Sequence, residues 1–427
     1  MYVFVLSKEG KPLMPTTPAR ARKKLRDGKA TVVQRTPFTI QLTYETTEYT
    51  QPITLGIDAG SKVVGMSATT TKAELYASES TLRNDIVELL SSRRALRSAR
   101  RSRTTRYRQP RFDNRNKGEG WLAPSIRHKI DSHLKLVSNL HKILPITRIV
   151  VEVAAFDIQK IKNPTIQGSE YQQGDQLDFW NTREYVLFRD GHKCQGKKGC
   201  TNKILNVHHI ESRQTGGDAP NNLITLCEEC HTAYHSGKVK LNQKRGQSFR
   251  DAAFMGIMRW AFYNKLKDQY SNVSMTYGYL TKNTRITNGV AKTHAADAYC
   301  ISGNITAKRA ATVYTQKFVR RHNRQIHKMT INKGGTRKLN QAPKYVCGYQ
   351  LFDKVSYEGK ESFVFGRRAT GYFDLRKLDG TKVHASASVK KLKPLEKSAT
   401  LLTERRGGLP LSLQPPEGGG VSRRPRP

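Results

Sequence analysis

Between residues 194 and 235 the chain sets Cys194, Cys200, His208, His209, Cys227, Cys230, His231 and His235 in one short block. So dense a set of metal-ligand side chains constrains the fold more than any apolar pattern does. A block this small and polar needs a staple to hold its shape. Cys227 and Cys230 form a C-x2-C knuckle, and with the more widely spaced Cys194 and Cys200 they make a four-thiolate set suited to structural Zn²⁺. Six cysteines in 427 residues are too sparse for a disulfide framework, so a reducing cytoplasm is expected.

Inside the cysteine frame, NVHHIES reads as a strand that places His208 and His209 on opposite faces. A loop follows, then a second strand starting near Asn222, then a helix. His231 and His235 stand four apart on that helix and form a two-pronged metal clamp. One strand histidine can join them as a third ligand. The other faces away and is free to act as a general base. A wholly structural zinc domain would leave these four histidines without a task. The arrangement resembles the HNH (ββα-metal) nuclease motif. The resemblance implies that His208, His231 and His235 hold Mg²⁺, that His209 activates water, and that Asn222 holds the base-bearing loop in shape. One divalent cation and one imidazole near neutrality suffice for phosphodiester hydrolysis.

Lys and Arg number 75 against 34 Asp and Glu, a formal net charge of +41. That much charge of one sign calls for a polyanionic partner, and nucleic acid fits. No apolar run approaches membrane-spanning length, and the first residues, MYVFVLSKEG, do not read as a signal peptide. The densest charge lies in RRALRSARRSRTTRYRQPRFDNR, residues 93–115, which holds ten arginines and one acid. As a helix it would carry arginine on nearly every side. Arg93, Arg94, Arg97, Arg100, Arg101, Arg103, Arg106, Arg108 and Arg111 are its candidate phosphate contacts.

Three carboxylates stand apart. Asp58 ends the apolar run ITLGID, Glu152 interrupts IVVEVAA, and Asp297 shares a helix face with His294 in KTHAADAYC. A carboxylate among branched aliphatics needs a cation or an arginine beside it. Converging on one sheet, Asp58, Glu152 and Asp297 would make a two-metal phosphodiester site. Their order resembles the three split motifs of RuvC-like nucleases. That resemblance implies an RNase H-like fold, Mg²⁺ on the three carboxylates, and His294 beside them in the catalytic set.

The fold class expected is therefore α/β multidomain: a split RNase H-like (RuvC) fold with an inserted ββα-metal HNH domain, an arginine-rich bridge helix and a small β-rich C-terminal domain. With KPLMP at residues 11–15, the whole resembles the transposon-encoded IscB family of RNA-guided nucleases, in the lineage of the type II CRISPR effectors. The resemblance implies a PLMP domain at 1–50, RuvC-like segments at 51–92, 118–165 and 241–310, and the bridge helix at 93–117. It puts the HNH domain at 166–240 and a basic linker at 311–342. The β-rich 343–395 region would read a target-adjacent motif, and 396–427 is expected as a disordered Pro/Gly-rich tail. It further implies a monomeric protein bound to a long structured guide RNA that pairs with double-stranded target DNA. The HNH site would cut the guide-paired strand and the RuvC-like site the displaced one, in a prokaryotic cytoplasm at the nucleoid. Two other readings stay open: a protein-guided HNH endonuclease of the homing type, and a non-catalytic RNA-binding zinc protein.

Overall fold

The structure is a computed structural model. It describes residues 2–101, 118, 120–153, 176–197, 199–211, 217–241, 244, 246, 250–320, 330–331, 337–338 and 343–407. The chain divides into two compact units, Met1–Ala154 with Ile257–Pro427, and Ala155–Gly256.

The first residues form strands β1 (Val3–Leu6), β2 (Pro12–Thr16), β3 (Ala30–Gln34) and β4 (Thr39–Leu42), in sheet order β2-β1-β4-β3. The KPLMP segment supplies β2. Prolines cannot donate to a ladder, and β2 is an edge strand, where this is tolerated. Helix α1 (Pro18–Arg26) starts at a proline and buries Ala21 with Val3, Val5, Leu13, Ile40 and Leu42.

Strands β5 (Thr54–Ala59), β6 (Val63–Thr69) and β7 (Glu74–Thr81) form an antiparallel meander, with a hairpin between the first two. Helix α2 (Ile86–Arg101) follows. Helix α3 (Pro124–His141) buries Ile130, His133, Leu136, Val137 and Leu140, the spacing of one helical face. Strand β8 (Arg148–Glu152) then runs parallel to β5. Its Ile149, Val150 and Val151 are all buried, as a strand covered on both faces requires.

The second unit holds α4 (Thr182–Arg189), β9 (Leu205–His209), β10 (Leu223–Cys227) and α5 (Glu228–His235). Strands β9 and β10 pair antiparallel, with His208 opposite Ile224 and His209 opposite Leu223. Its core is small: Ile224, Leu226 and the cysteines, backed by Leu205 and Ile210. Asn181 caps α4 by accepting from the Glu184 amide at 3.0 Å.

The chain re-enters the first unit at Ile257, within α6 (Arg250–Gln269), and continues with β11 (Val273–Thr276), α7 (Gly278–Thr287) and α8 (His294–Ser302). Within the segment NVSMTYGYLT the strand ends at Thr276 and the helix begins at Gly278. Strand β12 (Thr312–Phe318) joins a seven-stranded sheet of order β11-β8-β5-β6-β7-β12-β20, the last strand being Leu401–Gly407. Two-residue strands β13 (Thr330–Ile331) and β14 (Arg337–Lys338) follow. The expected basic linker at 311–342 thus opens with a sheet strand, because β12 covers the open edge of β7.

Strands β15 (Lys354–Tyr357), β16 (Lys360–Arg367), β17 (Tyr372–Arg376), β18 (Lys382–Ser388) and β19 (Leu392–Glu396) form a separate antiparallel sheet. Val355, Val364, Phe373, Leu375 and Ala387 fill its core. The expected tail beginning at 396 is also corrected. Residues Leu401–Gly407 are strand β20, paired along its full length with β12. Leu402 packs with Phe363 and Leu378, and the Glu404 carboxylate accepts from the Leu378 amide at 3.0 Å. A full ladder outweighs the local Gly and Pro composition that suggested disorder. Residues 408–427 lie outside the described residues.

Candidate active sites

The four cysteines come together. Their Sγ atoms lie within 4.8 Å of one another, and Cys200 Sγ is 3.6 Å from Cys227 Sγ. Tetrahedral Zn–S bonds of about 2.3 Å put sulfurs about 3.8 Å apart, so the cage fits zinc. Backbone amides already point at the sulfurs: Cys227 N donates to Cys194 Sγ at 3.2 Å and Cys230 N to Cys227 Sγ at 3.4 Å. Such donors stabilise thiolates. Without a cation, burial and the neighbouring sulfurs push the Cys230 thiol up to about 12.

The HNH-like residues separate as the strand alternation requires. His208 turns inward and its ring sits 5.0 Å from that of His231 and 5.1 Å from that of His235, centre to centre. These three also offer ligand atoms within 4.8 Å of one another. Burial, then the neighbouring imidazoles, pushes His208 down to about 4, so it is the neutral ligand form at pH 7. His208 Nε2 is buried without a hydrogen-bond partner among the described residues. Such an orphan is costly unless a cation takes its lone pair. The set therefore fits a divalent ion. Its chemistry qualifies the expectation of Mg²⁺, however. All three donors are nitrogens, which suit borderline transition ions better than Mg²⁺, an ion that needs water and phosphate oxygens around it.

His209 lies on the other face of β9, and its Nε2 is 2.9 Å from Asp218 Oδ1. With Nε2–H assigned as donor to the carboxylate, Nδ1 keeps its lone pair for a proton. Asp218 was not singled out in the sequence; a lone loop acid carries no periodic signal. Asn222 is fully buried. Its Nδ2 donates to Glu211 O at 3.0 Å and Gly217 O at 2.9 Å, while its Oδ1 accepts from Glu211 N at 2.9 Å. One amide thereby ties both ends of the loop that connects His209 to Asp218.

The carboxylates lie on the seven-stranded sheet. Asp58 is near the end of β5, and Glu152 ends the neighbouring parallel strand β8. Asp297 is in the first turn of α8, whose N-cap Thr293 accepts from Ala296 N at 3.0 Å. The helix approaches the sheet at two glycines. A Cβ on Gly56 would come 2.0 Å from Ala298 O, and one on Gly65 2.0 Å from His294 O. His294 Nδ1 is 2.6 Å from Asp58 Oδ2, and this contact raises the imidazole above its ordinary value. Glu79 of β7 accepts from Ala295 N at 3.1 Å and fixes the start of α8. Burial raises Glu152, and the charges of Asp58 and Asp297 add to it. Asp297 is raised by burial and then by Asp58, against the pull of Arg285, whose Nε is 3.1 Å from Asp297 Oδ1. Carboxylates that burial and neighbouring negative charge disfavour as anions suit a cation. Among the described residues the three do not close into a set within 4.8 Å, and Arg285 occupies Asp297. Glu79 and Arg285 escaped sequence reasoning because each needs the tertiary fold to reach the site.

Of the arginine run, Arg93, Arg94 and Arg97 are exposed on α2, which starts at Ile86, before the run itself. Arg100 and Arg101 belong to the last turn of that helix. Arg103, Arg106, Arg108 and Arg111 lie outside the described residues.

Residues 193–237 match the family model described as HNH endonuclease. The chain carries an HNH nuclease domain. Residues 3–174 match a second model, described as RRXRR protein. A 45-residue stretch is 42% identical to anaredoxin of Nostoc sp. (strain PCC 7120), covering 10% of this chain and 59% of that protein. Among solved structures, Streptococcus thermophilus Cas9 with the AGAA PAM is similar at 14% identity and TM-score 0.30, over 43% of this chain and 26% of that one. The same protein with the GGAA PAM gives 15% identity and TM-score 0.32, over 52% and 31%. The chain thus spans about a quarter to a third of the Cas9 length. The HNH domain and its adjoining ligand sets support a metal-dependent nuclease activity. No described helix is long and apolar enough to cross a membrane.

Proposed function

We propose that this chain is an RNA-guided DNA endonuclease of the IscB type, with two hydrolytic sites acting on opposite strands. The observation that carries the reading is the division of labour on β9. His208 faces His231 and His235, while His209 faces Asp218. A bound divalent ion at the three imidazoles would neutralise the scissile phosphate and the leaving oxygen. Asp218 holds His209 so that Nδ1 takes the proton of the attacking water. Asn222 keeps the loop, and with it that geometry, in place.

The second site is the RuvC-like one. Asp58, Glu152 and Asp297 would hold Mg²⁺, and His294 would hold or move a proton beside Asp58. Support comes from the mixed sheet assembled from separated chain segments, with Asp58 and Glu152 on adjacent parallel strands. Filling that site requires Asp297 to leave Arg285. We assign Met1–Thr50 to the PLMP domain, the described arginines of α2 to the bridge helix expected at 93–117, and β15–β19 to reading the adjacent duplex motif. Zn²⁺ at the four cysteines would be structural. The net charge of +41 suits a guide RNA as lasting partner.

The homing-type reading, with an inert carboxylate site, has one observation in its favour, the Arg285–Asp297 ion pair. Purification with sequencing of the bound nucleic acid separates the two. The expected result is one defined RNA, without which the protein does not cut DNA. Cutting by the RNA-free protein would favour the homing-type reading.

A further inference from the structure

Helix α7 begins against Glu152. A Cβ on Gly278 would lie 3.1 Å from Glu152 Oε1, so the backbone there touches the candidate active site. The residues on either side are tyrosines. Their rings are nearly parallel, 12° apart in plane, with centroids 6.1 Å apart. Both are open to solvent, Tyr277 at 47% and Tyr279 at 64% of full exposure. Neither ring is spent on the core. Tyr277 is held in place by its backbone, whose carbonyl accepts from Leu280 N at 3.0 Å and Thr281 N at 3.2 Å. The exposed surface continues through Leu280, and Lys282 on the same helix is exposed as well.

We propose that Tyr277 and Tyr279 form a stacking step for the bases of single-stranded DNA beside Asp58, Glu152 and Asp297. The inference rests on reading those carboxylates as a strand-cutting site. Two parallel aromatic faces accept any base, because every base has a π-face. A duplex keeps its bases stacked on one another, so only an unpaired strand can use the step. The tyrosines would hold a nucleotide neighbouring the scissile phosphate, and Lys282 would meet the backbone. Charge favours nucleic acid over a protein partner here, since the chain as a whole carries +41.

The test uses the RNA-loaded protein carrying Asp58→Ala, so that binding is read without cutting. The probes are single-stranded DNA oligonucleotides with 2-aminopurine, whose fluorescence is quenched by stacking, and the same strands with an abasic site. Tyr277→Ala with Tyr279→Ala is expected to weaken single-strand binding about tenfold or more and abolish the quench. Tyr277→Phe with Tyr279→Phe is expected to retain both, and the abasic strand to bind the parent as weakly as the alanine variant binds the intact one. Equal binding and quench in the alanine variant would overturn the proposal. So would an equal loss in the phenylalanine variant, or an equal loss on duplex DNA. The readout does not depend on hydrolysis. A tyrosine-dependent quench with no cutting by the parent site would therefore sink the two-site reading and keep the step.

Discussion

His209 Nε2 lies 2.9 Å from Asp218 Oδ1, although the adjacent His208 is turned into the ring set of His231 and His235. The Asp218 side chain is largely exposed, so the pair adds little to stability. Its consequence is orientation of the base. Asp218→Asn should slow cutting at the HNH site by roughly tenfold or more, short of the about 10²–10⁴-fold of losing the base itself. Zinc content and thermal stability should be unchanged. A rate equal to that of the parent would mean that Asp218 does not position His209.

The donor set at His208, His231 and His235 leads to a metal preference. Mn²⁺ should support cutting of the guide-paired strand at lower concentration than Mg²⁺, because nitrogen ligands favour it. The oxygen-rich site at Asp58, Glu152 and Asp297 should show a smaller difference. Metal titrations with each strand separately labelled check this. Identical titration curves on the two strands would contradict it.

Gly56 and Gly65 let α8 reach the sheet. Gly56→Ala places a methyl 2.0 Å from the Ala298 carbonyl oxygen, which backbone cannot yield cheaply. The expected cost is about 3 kcal/mol, seen as a lower denaturation midpoint. Cutting at the RuvC-like site should fall even where the protein stays folded, since α8 carries His294 and Asp297. Unchanged stability would show that the helix can move away freely.

His133 is fully buried, and burial pushes it down to about 4, although the Lys129 and Gly60 carbonyls work the other way. The unfolded imidazole titrates near 6.5. Between these values the unfolded chain takes up a proton that the native chain refuses. The contribution to stability is whole above about pH 6.5 and is lost as pH falls toward 4, on the order of 3 kcal/mol in all. The drop in Tm between about pH 7.5 and about pH 5 should therefore be smaller in His133→Asn than in the parent. Equal drops would rule out His133 as a source.

The block from Cys194 to His235 was legible because its chemistry depends on local spacing. A strand separates neighbouring side chains, a helix joins residues four apart, and both rules hold at His208, His209, His231 and His235. Asp58, Glu152 and Asp297 stood out as acids amid apolar or small residues. What was hidden depends on distant pairing. Strand β20 looked like the start of a Pro/Gly-rich tail, and only its ladder with β12 orders it. Arg285 and Glu79 look like ordinary surface charges until α7 and α8 pack on the sheet. Asp218 sits in a loop whose closure by Asn222 is a tertiary event.

Two sites on two strands is the claim on which the rest depends, and strand-resolved cleavage by single-site variants tests it most directly. RNA-loaded His209→Ala and Asp58→Ala proteins would be given duplex DNA labelled separately on each strand, with target binding measured in parallel. The expected result is two complementary nickases. His209→Ala should leave the guide-paired strand whole and cut the displaced one, and Asp58→Ala should do the reverse. If either substitution alone stopped cutting of both strands while binding persisted, the two-site reading would be contradicted.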